Sequence, residues 1–265
     1  MRDIHPTAVV HEGAQLSDDV TVGPFSILED GVKVGAGTRI GPHCYVAKGS
    51  QIGSGNTFTA YVSVGTAPQD LTHRDCESTI QIGDNNTFRE FVSLNRGTPK
   101  EDSITIIGSD NFVMAGAHVG HDCVLGSRII MTNAVLVAGH CHLGDGVVLN
   151  GFAGVGQYTS IGRLAYVGAK SRVVQDVPPF VKVAGDPAEV RMVNEVGMAR
   201  SGIPKEDIDE IKHVYRAIFR TGRSVHEEAH ALINDKSAMV RELAEFLLRK
   251  EAGRFGRFRE SLRAH

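Results

Sequence analysis

The 265-residue chain has no tryptophan, only four cysteines, and no hydrophobic stretch approaching the length of a membrane span. Cys44, Cys76, Cys123 and Cys141 form no CxxC pair, so reduced, mostly buried thiols are expected rather than a disulfide framework. The opening segment, MRDIHPTAVVHEG, lacks the basic start and apolar core of a signal peptide, which makes the cytoplasm the expected compartment. Long runs of one charge sign are also missing. With 28 Lys+Arg against 31 Asp+Glu, the formal net charge is -3, and a dedicated nucleic-acid-binding role is disfavoured. Glycine, by contrast, is abundant at 30 residues, and 42% hydrophobic content suits one large domain with an appendage or two modest domains.

An apolar residue recurs every six positions. From Val10 the series runs through Leu16, Val22, Leu28, Val34, Ile40, Val46, Ile52 and Phe58 to Val64, resumes at Ile82, Phe88 and Leu94, and continues after a slip from Ile107 to Val173. No α-helix has this period. About half of these residues are followed by glycine, for example Gly35, Gly108 and Gly120, as expected if the chain turns there and needs permissive φ/ψ. Small or β-branched residues recur four places after the apolar one, and Cys44, Cys123 and Cys141 share that slot, which favours interior thiols over metal or redox groups. A hexapeptide period predicts a parallel β-helix in which three strands and three turns make one coil of eighteen residues. The pattern resembles the left-handed β-helix of the hexapeptide-repeat acyltransferases, and this resemblance implies the handedness and the triangular section.

Two segments break the period. Residues 66–79 carry Asp70 and Cys76 where apolar residues belong, and residues 95–106 shift the phase by one; both are expected to leave the prism as loops. After Val177–Phe180 the period stops at two prolines. The expected division is a β-helix over residues 1–186 and a C-terminal helical domain over 187–265. In the latter, Ile208, Ile211, Val214, Tyr215, Ile218 and Phe219 form one helix face, two further helices are expected over 224–235 and 237–252, and the basic end is expected to fray.

With eighteen residues per coil, positions i and i+18 stack about 4.8 Å apart. His121 then stacks over Gly139 and Gln157, and Asp122 over His140 and Tyr158, so His118, His121, Asp122 and His140 form one patch outside the core slots. An imidazole beside a carboxylate suits a general base, and a Gly139 N–H one coil away suits an oxyanion. The same residues can also be read as a decorated β-helix face or as a zinc site.

At HVGHDCVLG (118–126), VAGHCHLG (137–144) and QDVPP (175–179), followed by a helical tail, nearly the whole chain resembles the UDP-N-acetylglucosamine O-acyltransferase family, which takes its acyl group from acyl carrier protein at the first step of lipid A biosynthesis. Gln69-Asp70-Leu71 and Arg96-Gly97-Thr98 also match. The resemblance implies that His121 is the base for the sugar 3-hydroxyl, Asp122 its partner and Gly139 the oxyanion donor. It implies that Asp70 and His118 place the 3-hydroxyacyl donor, and that His140, Gln157, Asn194 and Arg200 contact the UDP-sugar. It also implies that Ala169 sets acyl length near the long end of the family's range, and that the enzyme is a homotrimer with sites between neighbouring prisms. No metal or organic cofactor is expected: the histidine zinc sites of carbonic-anhydrase-like hexapeptide proteins place two histidines five apart, whereas the close pairs here are three and two apart.

The chain departs from the family at Thr72 (commonly Lys), Gly156 (His), Val196 (acidic) and Ser201 (Arg), all on the substrate side, with His73, Arg74 or Arg163 as candidate replacements. These departures keep a second acceptor, such as a 3-amino sugar nucleotide, in play. The same prism could also take an acyl-coenzyme A donor, or serve as a non-enzymatic scaffold; the QDL loop, the His-Asp pair and the tail favour the carrier-protein enzyme over both. Lys205, Lys212, Arg216, Arg220 and Arg223 lie on or near one helix and would suit an acidic carrier protein.

Overall fold

The computed structural model describes residues 3–73 and 76–263. Strands of mostly two residues end on the apolar residue of each hexad, as in Gln15–Leu16, Thr21–Val22 and Ile27–Leu28. Each pairs in parallel with the strand one coil on: Thr21 with Arg39, Ile27 with Tyr45 and Gln15 with Lys33. Three sheets result, and the chain visits them in rotation to form a left-handed parallel β-helix followed by a helical segment.

Two stacks of side chains fill the prism. The period-six residues form one, and the slot four places later forms the other, including Val20, Val32, Cys44, Cys123 and Cys141, all buried. Cys76 lies in the first loop and is half-buried. Polar members of the second slot satisfy themselves inside the turns. Asn86 donates from N and Nδ2 to Asn56 Oδ1, both at 2.9 Å, and Asn111 N donates to Asn86 Oδ1 at 2.9 Å.

The glycines after the apolar residues have a different cause from the one expected. At Gly35, Gly108 and Gly120 the backbone φ is negative, and an added Cβ would lie 2.6 Å from the main chain of the next coil. Tight stacking of turns, rather than left-handed φ, demands glycine there. The left-handed residue comes two places later and is usually not glycine: Asp122 has φ 59, His140 φ 65 and Tyr158 φ 61.

The chain leaves the regular strands between Thr66 and Thr79 and between Asn95 and Ile104, the second interval ending before the expected 106 because Ile104–Ile107 pairs with Thr79–Ile82 as a strand. Ile52 pairs with Ile82 and Ile82 with Ile107, so the intervening coils are longer than the eighteen residues separating Val22 from Ile40. After the last coil the chain differs from the expectation. Val181–Ala184 and Glu189–Val193 form an antiparallel hairpin that extends the first sheet before any helix begins. Helices follow at Glu195–Arg200 (α1), Lys205–Arg220 (α2), Val225–Leu232 (α3), Ala238–Ala252 (α4) and Phe258–Ser261 (α5). The end therefore does not fray over the described residues: Phe258 N donates to Asp176 Oδ2 at 2.8 Å, and Glu260 is buried. Among the described residues no helix is long and apolar enough to cross a membrane.

Candidate active site

The prism turns from its second to its third sheet at Gly120-His121-Asp122, and one coil later at Ala138-Gly139-His140. His140 N donates to His121 O at 2.9 Å and Tyr158 N to Gly139 O at 3.2 Å, which is the eighteen-residue stacking expected of these residues. The left-handed φ of Asp122, His140 and Tyr158 points their side chains the same way, and the His140 and Tyr158 rings stack with centroids 4.2 Å apart.

His121 Nδ1 lies 2.7 Å from Asp122 Oδ2. Thr98, from the second loop, donates its N–H to Asp122 Oδ1 and its hydroxyl to Oδ2, each at 2.6 Å. Burial alone would raise Asp122, but the hydrogen bonds from His121 and Thr98, with the His140 charge, hold it below the usual carboxylate range. An ionised Asp122 fixes the Nδ1 proton of His121 and leaves Nε2 as the basic nitrogen. The ring rests on Gly139: a Cβ there would lie 2.7 Å from His121 Cε1 and 2.8 Å from Nε2. Among the described residues no acceptor takes the Gly139 N–H.

His121 and Gly139 line a cleft of about 860 Å³ along the second sheet, together with His118, Gln69, Gln157 and Arg172. His118 Nδ1 is 2.8 Å from Ser93 Oγ, and burial, with the neighbouring His121, lowers its pKa and favours the neutral ring. Gly156 also lines the cleft beside Gln157, and a Cβ there would lie 3.2 Å from Val173 O. Asp70 sits in the first loop, ion-paired with Lys100 of the second, whose ammonium holds the carboxyl well below its ordinary range. Thr72 donates to the same carboxylate from N and Oγ1, at 2.8 and 2.9 Å.

His140 is buried, with Nδ1 2.9 Å from Glu101 Oε1 and 3.6 Å from Asp122 Oδ2. His121, Asp122 and His140 place ligand atoms within 4.8 Å of one another, but both Nδ1 atoms face carboxylates, an arrangement suited to holding and moving protons. Asn194 is buried as the α1 N-cap. Its Oδ1 accepts from Gly197 N at 3.2 Å and its Nδ2 donates to Leu164 O at 2.8 Å. Arg200 is exposed at the end of α1, and Ala169 is exposed at the turn before Arg172. None of these three lines the cleft of the single chain.

Of the candidate replacements, Arg163 is committed elsewhere, with Nε 2.8 Å from Glu242 of α4 and its guanidinium over the Phe180 ring. His73 N donates to Asp70 O at 2.9 Å, keeping it beside the first-loop carboxylate, and Arg74 lies outside the described residues. Sequence spacing missed Thr98, Lys100 and Glu101, three second-loop residues that each reach a different part of the site. The only signal pointing to them was the Arg96-Gly97-Thr98 match.

Residues 176–255 match the family "Udp N-acetylglucosamine O-acyltransferase; Domain 2", and residues 13–48 match "Bacterial transferase hexapeptide (six repeats)". The acyl-[acyl-carrier-protein]–UDP-N-acetylglucosamine O-acyltransferase of Thiobacillus denitrificans is 44% identical over 255 residues, covering 96% of this chain and 99% of that protein. The Aliarcobacter butzleri protein of the same name is also 44% identical, over 96% of this chain and 98% of its own. The crystal structure of Francisella novicida UDP-N-acetylglucosamine acyltransferase superposes with a TM-score of 0.90 at 32% identity, covering 92% of this chain and 90% of that one. With this sequence identity, this shared prism and the His-Asp corner in place, the chain belongs to the acyl-[acyl-carrier-protein]–UDP-N-acetylglucosamine O-acyltransferase family.

Proposed function

We propose that this corner transfers a 3-hydroxyacyl group from acyl carrier protein to the 3-hydroxyl of UDP-N-acetylglucosamine, the first step of lipid A biosynthesis, with His121 as general base. The observation that carries the reading is the His121 Nδ1–Asp122 Oδ2 contact of 2.7 Å, in a cleft also lined by Gly139, directly beneath the His121 ring, whose amide has no acceptor among the described residues. His121 Nε2 takes the hydroxyl proton as the sugar oxygen attacks the thioester carbonyl. Asp122 steadies the imidazolium, and the Gly139 N–H donates to the tetrahedral oxyanion. Collapse breaks the C–S bond, and the leaving thiolate takes the proton from His121.

The neutral His118 and the Asp70–Lys100 pair stand on the donor side, with Lys100 supplying from the second loop a cation in place of the lysine absent at position 72. Gln157 and His140 stand on the acceptor side. Asn194 and Arg200 would reach a substrate only across a subunit boundary, which fits a homotrimer with sites between prisms, and Ala169 at the far edge of the second sheet would limit acyl length. The enzyme works in the cytoplasm. Its carrier protein docks on the α2 face through Lys205 and Arg216, because Lys212, Arg220 and Arg223 already meet Glu195, the Arg191 carbonyl and Glu228.

Mass spectrometry of the purified protein with UDP-N-acetylglucosamine and a ladder of 3-hydroxyacyl carrier proteins tests the reading. A UDP-sugar ester that falls about 10³-fold in His121→Ala is expected. Preferred acylation of a 3-amino sugar nucleotide would move the acceptor to that class.

A further inference from the structure

The last described helix, α5, lies far along the chain from the second loop yet meets it beside the dyad. Asp176 seats the helix on the final coil by accepting from Phe258 N, while Asp176 N donates to Gly256 O, both at 2.8 Å. Arg257 adds a hydrogen bond to Val174 O at 3.1 Å and an ion pair with Glu260 at 3.2 Å. This seating aims Arg259 back across the corner. Its Nη2 donates to Glu101 Oε2 at 2.6 Å, its Nε donates to His140 O at 3.1 Å, and its Nη1 lies 3.4 Å from His142 Nδ1. Glu101 in turn accepts from His140 Nδ1 at 2.9 Å, and that nitrogen stands 3.6 Å from the same Asp122 oxygen that holds His121.

We propose that α5 is a strap on the catalytic corner, and that Arg259 and Glu101 are positioning residues that set His140, and through it the Asp122–His121 pair, for proton transfer. Without Arg259, the Glu101 carboxylate loses its fixed partner, and its hydrogen bond to His140 loses a defined direction. His140, stacked on Tyr158 and edge-on to His121 with centroids 4.9 Å apart, then no longer packs the dyad in one geometry. Displacement of a base by a fraction of an ångström costs rate while leaving substrate affinity largely in place. Arg259 is largely buried and makes three directed contacts, which distinguishes it from a solvated surface cation.

This inference rests on the proposed role of His121, and the experiment separates the two. Steady-state kinetics of Arg259→Met, Glu101→Gln and Arg259→Lys are run beside His121→Ala, with thermal unfolding of each. The strap predicts that Arg259→Met and Glu101→Gln each lose about tenfold in kcat, with both KM values within about twofold of wild type. Their double variant falls no further than the worse single one. Arg259→Lys, which keeps a cation for Glu101, recovers most of the loss. Wild-type kcat in Arg259→Met, a loss that appears mainly in KM, or no rescue by lysine overturns the strap. If Arg259→Met unfolds early, Glu101→Gln decides alone, by the same kcat and KM criteria. Activity surviving in His121→Ala would overturn the underlying reading; an inactive His121→Ala beside an unaffected Arg259→Met would overturn only the strap.

Discussion

Two corners of the same prism use the same turn for opposite ends. Where the third sheet passes into the first, four consecutive turns have their opening amide taken by a side chain of the next coil: Ser54 N by Asp84 Oδ1, Asp84 N by Ser109 Oγ, Ser109 N by Ser127 Oγ and Ser127 N by Asp145 Oδ1, at 2.7 to 3.0 Å. Where the second sheet passes into the third, the equivalent amide at Gly139 meets no acceptor among the described residues, and the side chain stacked beside it is His121. One column spends its polar groups on holding coils together. The other, at Gly139, leaves a donor and a base facing a cleft.

The contrast can be sharpened from the active corner outward. Thr98→Val removes one of the two Thr98 donors to Asp122 while keeping volume, and a charge-assisted hydrogen bond of about 2 kcal/mol corresponds to about thirtyfold in kcat. The pH dependence has a definite sign. Asp122 is held low by His121 and Thr98, with His140 also facing it, so losing the hydroxyl raises its pKa, and the acid-side fall in rate begins at higher pH than in wild type. A pH–rate profile checks both.

His142 gives the next effect, on stability. Burial first, then the Arg259 and Arg249 charges, lower it to about 4 against the pull of Glu101. The unfolded state therefore takes the proton first on acidification, and stability present above the ordinary value of 6.5 is lost as pH falls toward about 4. Allowing for its partial exposure, the loss is roughly 1 to 2 kcal/mol. Denaturant unfolding between those pH values is expected to show a shallower decline in His142→Asn. The smallest effect belongs to the structural corner. Asp145→Ala frees the Ser127 amide and is expected to cost about 1 kcal/mol in urea unfolding with kcat unchanged, whereas a fall in kcat would erase the distinction between the corners.

What could be read before folding was whatever the period governs. Six-residue spacing places Val119 inside and His121 outside, and eighteen-residue spacing stacks Gly139 on His121, because a solenoid turns sequence distance directly into space. The same rule says nothing where the period is broken. Thr98, Lys100 and Glu101 sit in a loop with no fixed register, and Arg259 reaches Glu101 from the far end of the chain, so their convergence depends on tertiary packing. Spacing locates the glycines but not the reason for them, since one-dimensional spacing does not reveal how closely coils approach. The hairpin at Glu189–Val193 was hidden because its half-exposed strand carries no hexad signature.

The ring of His121 and the bare Gly139 backbone act as one device in this reading, and the kcat of Gly139→Ala beside Gly154→Ala puts that to the test. A Cβ at Gly139 lies 2.7 Å from the imidazole, whereas a Cβ at Gly154, which lines the same cleft, meets nothing within 4 Å. Gly139→Ala is expected to lose about 10²-fold or more in kcat, and Gly154→Ala to stay within about threefold of wild type. Equal losses in the two variants, or near-wild-type turnover in Gly139→Ala, would contradict it.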